Sequence, residues 1–404
     1  TAAVMHAVTR PLSELISSDR ATPDLNDIAG SDGFLFVRDG VGVAGRGVAA
    51  RVPIDESVGW LAAINHRSTV DGVTPRAMGS VPFRPGADGY LVVPAVLVGK
   101  RADGVQWVTT FDDADPTDAL TPPAQPAPTA TNYSIGHSTP IGTYLAAVAA
   151  ARDAVRAGQL TKAVIARPIT VTADQPIDVG SVLRRLKASF GSCYRYSIDG
   201  LIGASPELLV EVDGAVVRSH PLAGTTPRTG DPADDAALAT ELKASRKNQI
   251  EHRIVIDEVH DTLLPWASYL DWEPEPSIVT VANVQHLGTR MEGMLSQPGP
   301  SVIELVRALL PTPALGGHPR SDAIELIERV EGFERGRYGG AVGWVDATGN
   351  GTWAVTIRCA ELSVDRLVAR LVAGGGIVAE SEPLSELAET QAKFQAMLSA
   401  LVRP

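Results

Sequence analysis

AVGWVDATGNGTWAVTIRC, residues 341–359, holds two apolar runs rich in Val, Ala and Trp around the polar cluster Asp346-Ala347-Thr348-Gly349-Asn350. Branched and aromatic side chains suit a pleated surface, and Asp, Gly and Asn suit a tight reversal, so the pattern predicts an antiparallel hairpin. The same alternation runs upstream through CYRYSIDG (193–200), LLVEVDG (208–214) and AVVRSHPL (215–222), the last two joined at Asp213-Gly214, a pair suited to a two-residue turn. KAVIARPITV (162–171), SIVTVANVQHL (277–287) and RLVARLVAGGGIV (366–378) read as further strands. Helical periodicity appears in TYLAAVAAARDAVRAGQ (143–159), SVIELVRALL (301–310), RSDAIELIERV (320–330) and from about Leu384 to Leu401. One long helix is predicted from about Asp234 to Leu264, with Ile250, Ile254 and Val255 as its apolar stripe. Nearer the N-terminus, GFLFVRDG (33–40) and GYLVVPAVLVGKR (89–101) look like short strands. The stretch 113–140, dense in Pro, Thr and Ala, reads as a surface linker or long loop that divides 1–140 from 141–404. Hairpin-linked strands mixed with helices indicate an α+β fold with mainly antiparallel sheets.

The 404 residues are 44% hydrophobic and 20% charged, a globular composition that excludes wholesale disorder. The balance of 35 Lys+Arg against 47 Asp+Glu gives −12. A surface of that sign repels phosphate backbones and anionic lipid, so neither nucleic acid nor membrane is an expected partner. An anionic substrate would need a metal or a local cluster of Arg and Lys. Two cysteines, Cys193 and Cys359, are too few for a disulfide framework, and TAAVMHAVTR carries no signal-length apolar core. The expected location is the cytoplasm.

H-E-x-x-H, G-x-x-x-x-G-K and G-x-S-x-G are all missing, which removes most of the weight from zinc-hydrolase, P-loop and serine-hydrolase chemistry. AGGGIV (373–378) lacks the G-x-G-x-x-G spacing, yet three glycines after a strand let backbone approach a ligand closely. Asn248 and Glu251 share one helix face; Glu386, Glu389 and Lys393 share another. Spacing alone leaves two alternatives for these carboxylates: solvated helix faces, or oxygen ligands converging on one hard cation. Residue type alone likewise leaves Lys162 as a lysine opening a strand and Glu207 as a turn residue after Pro206.

From about Tyr144 onward the chain resembles the chorismate-utilising enzymes, which include isochorismate, salicylate, anthranilate and aminodeoxychorismate synthases. The matching blocks are KAVIARP (162–168), ASPELL (204–209), PLAGTTPR (221–228), ELKASRKNQIEH (241–252), VQHL (284–287), LLPTPALGGHPR (309–320), RYGGAVGW (337–344), TIRCA (356–360) and AGGGIVAESEPLSELAETQAK (373–393). Nine blocks in order are far more specific than any single motif. The resemblance implies one compact α+β unit of two mostly antiparallel sheets packed face to face with helices outside, the N-terminal region completing the same sheets. It implies a monomer acting on chorismate with Mg2+ and without a glutaminase partner.

Residue by residue, the resemblance makes Lys162 the base that activates water and Glu207 the general acid for the departing hydroxyl. Those tasks call for a neutral amine and a carboxyl of raised pKa. It makes His286 a catalytic-site residue beside the ring, and Glu251, Glu386 and Glu389 the magnesium ligands. Arg358, Lys393 and Tyr338 fall on positions that bind carboxylate, and Gly224, Thr225, Gly374 and Gly375 on backbone contacts to substrate. Asn248 stands where relatives usually carry an acid, which implies a weaker metal site. Ala314 occupies a position where ammonia-using and salicylate-forming relatives tend to have threonine. It therefore points to water as nucleophile and isochorismate as product, feeding siderophore or menaquinone synthesis. The alternatives are salicylate synthase, an ammonia-using sibling, or an inactive homologue serving as a binding subunit.

Overall fold

A computed structural model describes residues 5–16, 22–121, 130 and 132–402. The hairpin at 341–359 is present: Ala341–Asp346 and Gly351–Val355 pair antiparallel, with Ala341 opposite Val355 and Val345 opposite Gly351. The Asp346 carboxylate closes the turn by accepting from the backbone N–H groups of Thr348 (2.8 Å) and Asn350 (3.1 Å).

Among the described residues this hairpin sits inside a nine-stranded sheet that packs against a thirteen-stranded one, and a three-stranded sheet stands beside them. The large sheet is antiparallel apart from His6–Pro11 against Asn65–Ser68. The N-terminal strands Phe34–Arg38 and Val41–Arg46 continue it beyond Tyr194–Ile198, while Arg76–Val81 joins the other sheet against Ala341–Asp346. The sheets meet through Phe34, Phe36 and Tyr196 on one side and Met78, Leu91, Val342 and Trp353 on the other, all buried in one cluster. A second cluster covers the outer face of the large sheet, where Leu183 and Leu186 of helix Val179–Phe190 join Phe394, Met397 and Leu401 of helix Pro383–Val402. This is the α+β architecture expected from the hairpin grammar, with helices outside.

Four local expectations are corrected. The helix expected over 234–264 is two, Pro232–Ala244 and Arg246–Leu263. Ser245 is extended (ψ 110°) and its hydroxyl accepts from the Asn248 N–H at 3.3 Å, so one residue ends the first helix and caps the second. Ile250 is 53% exposed, and the buried stripe instead runs through Val255, Ile256, Val259 and Leu263. SIVTVANVQHL is a hairpin of Ser277–Thr280 and Val284–Gly288 rather than one strand, because Ala282-Asn283 reverses the chain. The reversal after Leu208–Asp213 is Gly214-Ala215, one residue later than expected, with Asp213 opposite Val216 and Gly214 at φ +61°.

The Pro-rich stretch 113–140 includes 122–129 and 131, which lie outside the described residues. Its remaining part is not all linker: Tyr133–Gly136 is an edge strand of the large sheet, paired with residues 170–173. Among the described residues no helix is long and apolar enough to cross a membrane.

Candidate active site

Among the chain's passages between the two large sheets, two deliver a functional side chain each. Leu201–Ser205 lies in the large sheet and Leu208–Asp213 in the other, so Pro206-Glu207 is one crossover. Gly351–Val355 and Cys359–Leu362 flank the second, which holds Arg358. The crossovers are stitched together: Val355 N–H donates to the Glu207 carbonyl at 3.0 Å and Ala204 N–H to the Arg358 carbonyl at 3.1 Å. Arg358 is held at φ +52°, a left-handed conformation unfavourable for a residue with a Cβ, so the fold maintains it against local preference.

Around these crossovers lies a cleft of about 220 Å³. Of the sequence-predicted residues, Lys162, Glu207, Gly224, Thr225, Glu251, His286, Ala314, Tyr338, Arg358, Gly374, Glu389 and Lys393 line it. Gly375 and Glu386 do not, and stand just behind its wall.

Lys162 opens the long strand Lys162–Ala173 and is 1% exposed, so it is no surface lysine. Its ammonium pairs with Glu251 Oε1 at 2.9 Å. Gly376 makes this contact possible, since a Cβ there would lie 2.6 Å from Glu251 Oε1 and 2.8 Å from Lys162 Cε. Glu207 is 3% exposed. Burial pushes its carboxyl up to about 8, against the Leu222 N–H that donates at 3.4 Å and the positive charges of Lys162 and Arg358.

His286 projects from Val284–Gly288 across to the bulge at Gly224 in Leu222–Pro227. Its Nδ1 lies 3.1 Å from Thr225 Oγ1 and 3.3 Å from the Gly224 carbonyl, and its Nε2 lies 3.3 Å from Arg358 Nη2. Burial first, then the charges of Arg358 and Lys393, holds the imidazole down to about 3. The ring is therefore neutral at physiological pH. A carbonyl faces Nδ1 and a guanidinium faces Nε2, so the proton belongs on Nδ1 and Nε2 accepts from Arg358. Gly224 itself sits at φ +76°, where a Cβ would press on Asn248 Cβ at 3.2 Å.

Arg358 and Lys393 converge from different elements: Arg358 Nη1 donates to the Lys393 carbonyl at 3.4 Å, and Lys393 Nζ donates to the Gly374 carbonyl at 2.8 Å. Two cations with Tyr338 beside them form the local positive cluster that an acidic protein needs for an anionic substrate. Burial raises the Tyr338 phenol above its usual value, keeping it protonated and able to donate.

The three candidate metal carboxylates are each held by the chain's own groups. Glu251 pairs with Lys162, Glu389 Oε1 with Lys393 Nζ at 2.6 Å, and Glu386 Oε1 accepts from Ser381 Oγ at 2.7 Å. Burial and the neighbouring Glu389 raise the Glu386 carboxyl. For Glu389 burial also acts upward, but Lys393, Lys247 and Arg358 outweigh it and leave the carboxyl below its ordinary value. Among the described residues no group of three or more His, Cys, Asp or Glu side chains converges closely enough to hold a metal ion. The donor set nonetheless suits a hard cation. All three offer oxygen, Glu386 Oε2 is buried without a partner, and a Cβ at Gly375 would come within 2.8 Å of that same oxygen.

Lys247, Ser381, Phe394 and Met397 escaped sequence reasoning. Lys247 lines the cleft one residue before Asn248, and its charge acts on both Glu386 and Glu389. The signal that could have found it is Ser245, whose capping role starts the helix two residues earlier and turns its first turn toward the cleft.

A family model described as chorismate binding enzyme matches residues 84–402. The Mycobacterium tuberculosis protein named "Putative isochorismate synthase MenF" is 41% identical over 345 residues, covering 82% of this chain and 87% of that protein. Isochorismate synthase DhbC of Bacillus subtilis is 37% identical over 342 residues, covering 81% of each. The solved structure of MenF, the menaquinone-specific isochorismate synthase from Escherichia coli, superposes with a TM-score of 0.83 at 23% identity. It covers 99% of this chain and 95% of that one, a likeness of fold.

Proposed function

The chain belongs to the chorismate binding enzyme family, and from that premise we propose that it is an isochorismate synthase, converting chorismate to isochorismate. The observation that carries this is one cleft holding a carboxyl kept protonated by burial, Glu207, and a buried lysine, Lys162, beside the cations Arg358 and Lys393.

The reaction adds water at C2 and expels hydroxide from C4 as the ring double bonds shift, so one water enters and one leaves. Acting as the base requires a neutral amine, so the Lys162 ammonium paired with Glu251 first releases a proton to solvent; Lys162 then takes a proton from the incoming water and Glu207 gives one to the leaving hydroxyl. Arg358 and Lys393 bind the enolpyruvyl carboxylate, with the Tyr338 hydroxyl as a further donor, and neutral His286 holds Arg358 in place through Nε2. Ala314 presents a methyl group with no hydroxyl to orient ammonia. Glu251, Glu386 and Glu389 are the residues that would hold Mg2+, which when bound neutralises the ring carboxylate.

The test is incubation with chorismate, with and without magnesium and with and without ammonium, followed by chromatographic identification of the product. Magnesium-dependent isochorismate is expected. Salicylate with pyruvate, or an amino product, would move the chain to a sibling activity, and no change in chorismate would leave it a binding homologue. Asn248 also lines the cleft, where relatives' acid would add a negative charge. Asn248→Asp should tighten magnesium on the order of tenfold by calorimetric titration, since charge attraction to a divalent ion grows with each nearby carboxylate. Equal affinities would reject a role for Asn248 in setting metal strength.

A further inference from the structure

The strand Lys162–Ala173 is paired along residues 163–172 by Val368–Ile377 on one side. On its other side Gly317–His318 covers only residues 162 and 163, and Tyr133–Gly136 begins at Thr170. Among the described residues no strand lies alongside the stretch between. Alternate residues of a strand point their backbone groups to the same edge, so residues 164, 166 and 168 would expose theirs there. Position 168 is proline and has no N–H to satisfy. The Val164 N–H reaches the Gly316 carbonyl at 2.9 Å.

Two of the remaining groups are met by side chains from outside the sheet. The Ala166 N–H donates to Glu331 Oε1 at 2.7 Å, and Arg335 Nη2 donates to the Val164 carbonyl at 2.7 Å. Glu331 and Arg335 pair with each other through Nε to Oε2 at 2.9 Å and through a short Nη2–Oε1 contact. Both side chains are 1% exposed. Arg335 Nη1 also donates to the Leu315 carbonyl at 2.7 Å, and its guanidinium lies over the Phe83 ring at 4.4 Å. All three guanidinium nitrogens are thus committed, to the strand that begins at Lys162, to the loop that carries Ala314 and Leu315, and to Glu331.

We propose that Glu331 and Arg335 are positioning residues that stand in for a missing strand and lock the Lys162 strand against the Ala314–Leu315 loop. This aligns the base with the wall that selects its nucleophile, and the assignment rests on the function proposed above. Stability alone is a poor account of the pair, because apolar side chains of similar volume often serve a buried site as well as two desolvated charges do. What apolar groups cannot supply are hydrogen bonds to Val164, Ala166 and Leu315.

Arg335→Lys keeps the charge and loses the fork that reaches three carbonyl or carboxylate partners at once. In the full chain with magnesium, kcat should fall about 100-fold, the size associated with roughly 1 Å of misplacement. KM should stay within about threefold, since the residues proposed to bind substrate are untouched. Calorimetry should still find one chorismate per chain, and hydrogen exchange across residues 162–168 should quicken. Glu331→Asp, one methylene shorter and still paired, is the second variant and should show the same pattern more weakly. Wild-type kcat in folded Arg335→Lys, or a loss matched by the fraction of chains that no longer bind chorismate, overturns the proposal. Wild-type protein that leaves chorismate unchanged overturns the function instead, while the exchange measurement still reads the clamp.

Discussion

Glu207→Gln should reduce conversion of chorismate by about 10³-fold, within the range that a positioned general acid contributes. The substitution is nearly isosteric, and its amide oxygen can still accept from the Leu222 N–H now 3.4 Å from Oε1. Chorismate should therefore bind much as before, with the loss falling on kcat. The pH dependence separates a lost proton donor from a disturbed pocket. With its carboxyl at about 8, Glu207 is protonated at neutral pH and gives up that form as pH rises through about 8. Wild-type activity should decline across that limb, and the residual activity of Glu207→Gln should not. Stability carries the same signature. An unfolded-chain glutamate ionises near 4.5, so between there and about 8 the folded protein holds a proton that the unfolded chain lacks. Wild-type stability must then fall as pH rises across this window and level off above it. Glutamine has no proton to lose, so thermal melts should show Glu207→Gln gaining on wild type from pH 5 to pH 8. Parallel melting curves would contradict a buried, protonated Glu207.

The strands were legible in the sequence wherever alternation and turn chemistry agreed, as at 341–359, because both are local properties. Ser245 shows where local periodicity failed: a hydrophilic run continued through it, and only the hydroxyl's bond to the Asn248 N–H reveals a cap in place of a helix interior. Ile250 failed for the opposite reason: it is an apolar side chain left exposed, while the helix buries Val255, Ile256, Val259 and Leu263 instead. Lys162 and Glu207 could not be told from a surface lysine and a turn residue without the family resemblance. Burial at 1% and 3% is a product of sheets contributed by distant segments. Glu331 and Arg335 were further from reach. Their spacing resembles an ordinary exposed pair at a helix end, and their partners Val164, Ala166 and Leu315 lie far away in sequence.

Lys162→Ala should remove turnover as fully as Glu207→Gln does, and it should do so while strengthening the protein's hold on magnesium. The two effects come from one contact. Glu251 Oε1 accepts from the Lys162 ammonium at 2.9 Å, in a wall too tight for a Cβ at Gly376. A carboxylate oxygen engaged by an ammonium is not free for a cation, so metal binding to Glu251 has to displace the lysine's charge. Without Lys162 that competitor is gone, and titration in the absence of chorismate should show affinity rising on the order of tenfold. The uncompensated carboxylate should also lower metal-free stability, by about 3–5 kcal/mol where such a pair is fully buried and less here with Glu251 13% exposed. Magnesium should restore much of that loss, because a ligand that binds only the folded state stabilises it by RT ln(1 + c/Kd), which grows as the free-ion concentration c exceeds the dissociation constant. A base that acts only on water predicts lost turnover with unchanged metal affinity. Tighter magnesium in an inactive variant would instead show that the same ammonium serves as the site's resident counter-ion before the substrate arrives.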